Sequence, residues 1–504
     1  MSSRAALAAA AIALFIVVAT LNAGGYRYGA SDQAFYIPAI EHHLDPTLFP
    51  RDWPMLAAQD RLNTFTPLVA RLSAVTGAGL PALFLALYVA GLAALGAGAW
   101  LLGRRLYRST WTVAALLAAL TLRHAVALGA VNTLEGYLHP RMLAFAAGTL
   151  ALAAFLRRRD GWAATLGALA LALHPTTGAW FALWLWVAAT VGEPRWRRSL
   201  LALGVAGAAA CAWAVASGPL AGRLFRIDDE WVAALGAKTY LFPDRWPVWA
   251  WASAIFTVGL AAAGFRLRRR LGLADRRETG LAAGAAALAA VLLGSLPFVA
   301  ARVALFVQLQ IPRVLWPLDL AAIVLLVWLL AEGRAAGGEE RASARERTGT
   351  RRPAVVAAVL IAFALARGAW VTLVEHPERA LVQMHLAATD WNAALDWVRR
   401  ETPTGAHVLA DPGHAWRYGT SVRAGALRDV FLEEAKDGAF ALYSRDAAVR
   451  FVERVRATQG FDAFDAEQVK RLAEQHSLDV LVTERALNLP LMHQSGRFKV
   501  YSLP

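Results

Sequence analysis

Long apolar stretches recur along the chain, separated by short polar connections. Runs of roughly 15 to 23 residues lie near 5 to 22, 81 to 103, 110 to 131, 139 to 156, 161 to 174, 176 to 192, 199 to 217, 248 to 265, 279 to 300, 314 to 331 and 353 to 374. Each is close to the length a helix needs to cross the hydrocarbon of a bilayer. The pattern predicts about eleven membrane-spanning helices. From about 375 the material changes. WNAALDWVRRE, 445 to 458 and 464 to 476 carry apolar residues at helical spacing, while HVLAD, DVLVT and FKVYSL are short β-rich runs. A small α/β domain is expected there, long enough to bury a core of its own. The expected organisation is a membrane domain over 1–374 with a first outer loop at 23–80, a charged, Gly-rich flexible linker at 332–352, and the α/β domain over 375–504.

Composition agrees with this outline. The chain has 504 residues, 58% hydrophobic and only 17% charged, with a mean hydropathy of +0.42, more apolar than a soluble core requires. The opening MSSRAALAAAAIALFIVVATLNAGG has the look of a signal sequence, but its apolar run is long enough to span and many others follow, so it reads as an uncleaved first helix. One cysteine, Cys211, excludes an intramolecular disulfide.

Charge gives the sidedness. Arg4 and the connections at 104–108, 157–159 with Asp160, 193–198, 266–278 and 332–352 hold 22 basic and 8 acidic residues, the whole of the net +14. These are alternate connections, so the positive-inside bias puts all of them in the cytoplasm. The rest of the chain is neutral, which removes the support for a nucleic-acid partner. The N-terminus is then cytoplasmic. The first loop, the turns at 132–140 and 174–177, the stretches 218–247 and 301–313, and the α/β domain face the periplasmic side of a bacterial inner membrane.

The chemistry-bearing residues gather on that outer side. In SDQAFYIPAIEHHLDPTLFPRDW, residues 31 to 53, Asp32 begins a helix lying along the membrane surface. It is either an N-cap or a carboxylate placed to act as a general base. Arg51 and Asp52 follow in the same loop, and Phe35, Tyr36, Phe49 and Trp53 supply interfacial anchors. AVNTLEGYLHPRMLAF brings Glu135, His139 and Arg141 to the junction of two spans. A carboxylate beside lipid is expensive to solvate and so is functional or paired, whereas Arg141 also reads as a snorkelling residue and Pro140 as a helix start. Glu135 with His139 is a weak donor pair for a divalent ion. Arg123 and His124, inside the third run, need partners, an outer-loop acid for Arg123 among them. His174 sits at a helix tip, and Arg313, at the outer end of the tenth run, offers the planar donor fork that suits a phosphate. The mixed-charge segment 223–246 reads as an amphipathic stretch on the bilayer rather than a site. No Gly-rich phosphate loop, Ser-His-Asp signature or cysteine zinc spacing is present.

Asp32-Gln33-x-x-Tyr36, DPTLFPRDW, NTFTPLVARLSAVTG and a second span closing on GRRLY together resemble the amino-terminal half of the GT-C superfamily of membrane glycosyltransferases. NTLEGYLHPRMLAFAAGTL, LHPTTGAWF and ALDWVRRETPTGAHVLADP are similar to bacterial membrane proteins related to that superfamily. The resemblance implies a GT-C-like polytopic α-helical membrane protein with a small C-terminal α/β periplasmic domain. It implies a sugar donor on a polyprenyl phosphate carrier and a glycan, lipid or protein acceptor. Asp32 would activate the acceptor, with Asp52 and Glu135 as accessory acids. Gln33, Tyr36, Arg51, His139, Arg141, His174 and Arg313 would contribute to substrate binding. Gln33 stands where the superfamily often has a second carboxylate, a departure from a paired-acid or metal-bridging arrangement. No cofactor is called for, and room for a divalent metal is left open. Two rival readings are a transporter or lipid flippase, which predicts ionisable residues at mid-membrane and repeated spans, and a non-catalytic assembly protein of the same fold, which Gln33 favours.

Overall fold

Each predicted apolar run contains a helix in the computed structural model, which describes residues 3–124, 126–333 and 342–504. Among the described residues seven helices are long and apolar enough to cross a membrane: Ser3–Asn22, Leu80–Leu106, Pro194–Ala216, Val248–Arg270, Arg276–Ala300, Ile311–Ala331 and Arg351–Glu375. Thr110–Thr121, Pro140–Leu156 and Asp160–Leu173 are shorter apolar helices, and Pro175–Gly192 packs beside them. The third helix departs from expectation. It stops at Thr121 rather than near 131, so Arg123 and His124 lie beyond its end. The predicted linker falls partly outside the described residues, and from Ala342 the chain is already helical.

The exposed faces argue for lipid. Arg197–Ala216 buries none of its residues and presents Leu201, Leu203, Val205 and Trp213 outward, as Val248–Arg270 does with Trp249, Ile255 and Phe256. A continuous apolar surface of this kind is not tolerated in water. We read these helices as membrane-spanning. Ile311–Ala331 is central by contrast, with Leu315, Trp316, Leu320, Leu325 and Trp328 all buried. Small residues allow close helix approaches: a Cβ on Gly280 would lie 2.2 Å from the carbonyl oxygen of Ala188, so Arg276–Ala300 and Pro175–Gly192 pack backbone to backbone.

Among the described residues the connections at 104–108, 157–160, 193–198 and 266–278 meet, with Glu332, at one end of the bundle. Arg105 pairs with Asp275, Arg268 with Glu278, and Arg277 with Glu193 and, at 2.6 Å, with Asp160. Arg195 also holds Asp160 at 2.7 Å, and Glu332 accepts from the backbone N–H groups of Arg108 at 3.1 Å and Ser109 at 3.0 Å. The opposite ends of the same helices carry the first loop, with its helices Gln33–Leu44, Trp53–Asp60 and Phe65–Thr76.

Strand β1 (Tyr26–Arg27), at the start of that loop, pairs in parallel with β2 (Val382–Gln383), where the chain leaves its last long helix. Beyond lies a five-stranded sheet of β3 (His407–Ala410), β4 (Asp429–Val430), β5 (Val480–Thr483), β6 (Leu491–Ser495) and β7 (Phe498–Ser502), in the order β4-β3-β5-β7-β6. The β4-β3-β5 side is parallel and the β5-β7-β6 side antiparallel. β3, β5 and β7 are the predicted β-rich runs. Helices Asp390–Glu401, Arg445–Ala457 and Ala466–His476 form where helical spacing placed them. Trp391, Leu395 and Val398 pack on Val408, Val480 and Val500 as the sheet's own core. A second cluster joins the sheet region to the outer segments, with Trp231, Leu241 and Phe242 against Leu442 and Val452.

Candidate functional site

Between the first loop, the outer helix ends and the sheet region lies a cavity of about 740 Å³. Asp32, Tyr36, His139, Arg141, His174 and Arg313 line it. They come from four separate segments, so the fold itself makes this constellation.

Asp32 stands at the N-terminus of Gln33–Leu44, but its carboxylate makes no capping hydrogen bond. It turns into the cavity instead. Oδ1 accepts from Lys436 Nζ at 3.0 Å, and Oδ2 lies 3.4 Å from His139 Nε2 and 3.5 Å from Arg141 Nη2, with 24% of the side chain exposed. Burial alone would raise this carboxyl's pKa, but Lys436, His139 and Arg141 outweigh it and hold it well below the usual carboxylate range.

The two histidines arrive by one device. Leu-His-Pro occurs at 138–140 and again at 173–175, and in both the histidine caps the helix that the proline opens. His139 Nδ1 accepts from the Arg141 N–H at 3.1 Å, and His174 Nδ1 accepts from the Thr177 N–H at 3.3 Å. An Nδ1 used as acceptor fixes the neutral tautomer that carries its hydrogen on Nε2, so each ring keeps an N–H donor free. In His139 that donor faces Asp32. The rings stand 6.0 Å apart, and Tyr36 meets His139 edge-on at 5.2 Å.

Glu135 is buried behind the cavity wall and forms a close ion pair with Arg141. Arg141 is thereby a fixed, compensated charge. The Arg313 guanidinium has no hydrogen bond or ion pair among the described residues, and it lies 5.2 Å from the centroid of the Tyr240 ring. It is a cation left available beside the histidines.

Three predicted site residues lie elsewhere. Gln33 is fully buried; its Oε1 accepts from the Gly29 N–H at 2.6 Å and its Nε2 donates to the Leu138 carbonyl at 3.2 Å. It ties the first loop to the His139 segment and does not line the cavity. Asp52 is wholly buried, bonded to Arg423 Nε at 2.7 Å, to the Val430 N–H at 3.0 Å and to Arg450. Arg423 continues to Asp437 at 2.6 Å, and Asp429 accepts the N–H groups of Arg51 at 3.0 Å and Asp52 at 2.9 Å. Asp52 therefore fastens the loop to the sheet region and is not a cavity acid. Arg51 belongs to the same joint through its backbone. Arg123 forms no ion pair among the described residues; its neighbour His124 instead approaches Asp319 at 3.4 Å.

Several lining residues carried no signal in the local sequence. Lys436, Trp416 and Tyr443 come from the sheet region, Lys238 and Tyr240 from the segment read as a bilayer-surface stretch, and Gln310 from the turn before Arg313. Gln310 holds a left-handed φ of 51° and is buried with its Oε1 unbonded, a strained placement of the kind that collects at binding sites. Among the described residues no group of three or more His, Cys, Asp or Glu is placed to hold a metal ion. Asp32 faces cations and Glu135 is turned onto Arg141, so the donor set does not fit a divalent metal.

No family model matches the chain, and neither does any curated protein. Among solved structures it is similar to the archaeal oligosaccharyltransferase AglB from Archaeoglobus fulgidus, in complex with an inhibitory peptide and a dolichol-phosphate. The match is 13% identical, covers 96% of this chain and 70% of that one, and has a TM-score of 0.48.

Proposed function

We propose that the chain is a GT-C-type membrane glycosyltransferase that moves a sugar from a polyprenyl-phosphate donor to an acceptor on the periplasmic face of the inner membrane. The observation that carries this reading is the convergence of Asp32, His139, Arg141, His174 and Arg313 on one cavity. Arg313 takes the donor phosphate, because it is the lining arginine that borders Asp32's surroundings without a counter-charge. The Nε2–H of His174 adds a neutral donor, while that of His139 stays on Asp32. Arg141, compensated by Glu135, steadies Asp32.

In the transfer the bond from the anomeric carbon to the phosphate oxygen breaks, and its electron pair leaves with the phosphate. The acceptor oxygen bonds to the anomeric carbon from the opposite side, and its proton passes to Asp32. Lys436 keeps Asp32 ionised and only weakly basic. The proton therefore moves late, after the acceptor oxygen has begun to bond to an electron-poor sugar carbon and has become acidic. A carboxylate has about four lone-pair positions, so a hydroxyl can reach Asp32 while Lys436 stays in place.

The test is Asp32→Asn in purified protein given a labelled polyprenyl-phosphate sugar. A loss of about 10²- to 10⁴-fold in transfer, with membrane insertion and melting temperature unchanged, is expected. Undiminished transfer by this variant would refute the assignment of Asp32 as base.

A further inference from the structure

The cavity holds a second set of cations that the transfer reaction leaves unused. Arg27 and Arg379 both line it. Arg27 has its backbone fixed twice, by the pairing of β1 with β2 opposite Gln383 and by its N–H on the Gly136 carbonyl at 2.7 Å. Its guanidinium nevertheless has no hydrogen bond or ion pair among the described residues, and its Nε is buried without a partner. Among the described residues the Arg379 side chain, 30% exposed, pairs with the neighbouring Glu378 alone, at 3.2 Å, and Glu378 is itself 65% exposed. The pairing of Tyr26 with Leu381 and of Arg27 with Gln383 sets Arg27 beside the short segment that follows Arg379; burial first, and the like charge of Arg379 second, lower the pKa of Arg27. A part-buried cation with its Nε shut away from water and unpartnered, beside a like charge, is a costly arrangement. An oxyanion would satisfy both at once, because each guanidinium presents a planar donor fork.

Tyr137 lines the same cavity as this pair and Asp32. Trp416, 85% exposed, lines the same cavity. Its loop is braced by His414, which caps the Val422 N–H at 3.2 Å and meets the Asp411 carbonyl at 2.7 Å. A bare indole on a rigid loop offers a flat apolar face to whatever occupies the cavity.

We propose that Arg27 and Arg379 form a second oxyanion subsite, which binds a phosphate or carboxylate group of a substrate while Arg313 binds the first phosphate. The subsite stands on the cavity's geometry; its link to sugar transfer rests on the reading above. In that reaction the anion is either the second phosphate of a diphosphate-linked donor or an acid group on the acceptor.

Binding of inorganic phosphate to the purified full chain in phosphatidylcholine nanodiscs, measured by calorimetry, tests this without any turnover. Two phosphates should bind per chain, Arg313→Gln should remove one, and Arg27→Gln or Arg379→Gln the other. Arg379 lies on a part-exposed segment outside the strands, so its variant should keep the wild-type melting temperature even if Arg27→Gln does not fold. Geranyl diphosphate and glucuronate then separate the sources. A drop of about tenfold in geranyl diphosphate affinity in Arg379→Gln, with geranyl phosphate unchanged, assigns the anion to the donor. The same drop for glucuronate assigns it to the acceptor. A single phosphate site, or affinities within twofold of wild type in both variants, overturns the subsite.

Discussion

Asp32 and Asp52 belong to one loop and invite the same reading in the sequence, yet the structure puts them in opposite kinds of surroundings. Asp52 sits in a closed joint. Both oxygens are engaged by Arg423, Arg450 and the Val430 N–H, and Arg423 is shared with Asp437. Asp32 sits in an open one, held from three directions at 3.0 to 3.5 Å above a cavity where Arg27 and Arg313 have no counter-charge among the described residues. The arginine-rich end of the bundle resembles the Asp52 joint, since Arg105, Arg268 and Arg277 all face carboxylates there. What distinguishes a site from a fastening here is how fully its charges are satisfied, not which residues it contains.

Exchanging the roles of the two aspartates would break the comparison, and it gives the largest effects. Asp32→Asn should cost transfer about 10²- to 10⁴-fold and leave thermal unfolding nearly unmoved. Asp52→Asn should do the reverse. It leaves Arg423 buried with part of its compensation gone, a loss of about 3–5 kcal/mol in denaturant unfolding, while the folded protein turns over at close to the wild-type rate. If Asp52→Asn proved stable and inactive, the joint would belong to the site after all.

A smaller effect sharpens the account of the sheet region. His407 on β3 is buried, and burial pushes its imidazole pKa down to about 4. Below pH 6.5 the unfolded chain takes up a proton that the folded chain refuses until about pH 4, so stability falls as pH drops through that window. The contribution is about 3 kcal/mol across it. Asp429, pushed up to about 6 by burial and by Asp52, acts in the opposite direction between about pH 4 and 6. Unfolding curves of His407→Gln and wild type over pH 4 to 7 isolate the histidine: the variant should lack its share of the acid slope.

The smallest effect concerns Lys436. Removing its ammonium from Asp32 Oδ1 takes away an opposite charge at hydrogen-bond range, so Lys436→Met should raise the carboxyl's pKa. The acid limb of the kcat/KM profile should move upward by the same amount. An unmoved limb would mean that Asp32 does not need to be ionised for the reaction.

Much of the bundle was legible because lipid imposes length and apolarity on every span, and that pattern is local. The grouping of arginine loops was legible for a related reason: charge sorts by side, and the ion pairs among Asp160, Glu193, Arg277, Asp275 and Arg105 bear the grouping out. The end of the third helix was not, because hydropathy runs on past Thr121 while the polar contact of His124 with Asp319 lies outside it. Asp32, His139, Arg141, His174 and Arg313 stood out because polar residues at helix ends are conspicuous in an apolar sequence. The repeated Leu-His-Pro is a further local signal, since it marks both capping histidines. Lys436 had no such signal. It reaches Asp32 across 404 positions, and only the docking of the sheet region brings it there. The fate of Asp52 was hidden likewise, its partner Arg423 lying 371 positions away.

The central claim is that the cavity transfers sugar, and the most direct measurement is turnover of a radiolabelled polyprenyl-phosphate sugar by the purified chain in proteoliposomes. The account predicts labelled acceptor from wild type and from the folded fraction of Asp52→Asn, and next to none from Asp32→Asn or Arg313→Gln. Equal turnover by wild type and Asp32→Asn, or none by wild type with a range of donors and acceptors, would contradict it.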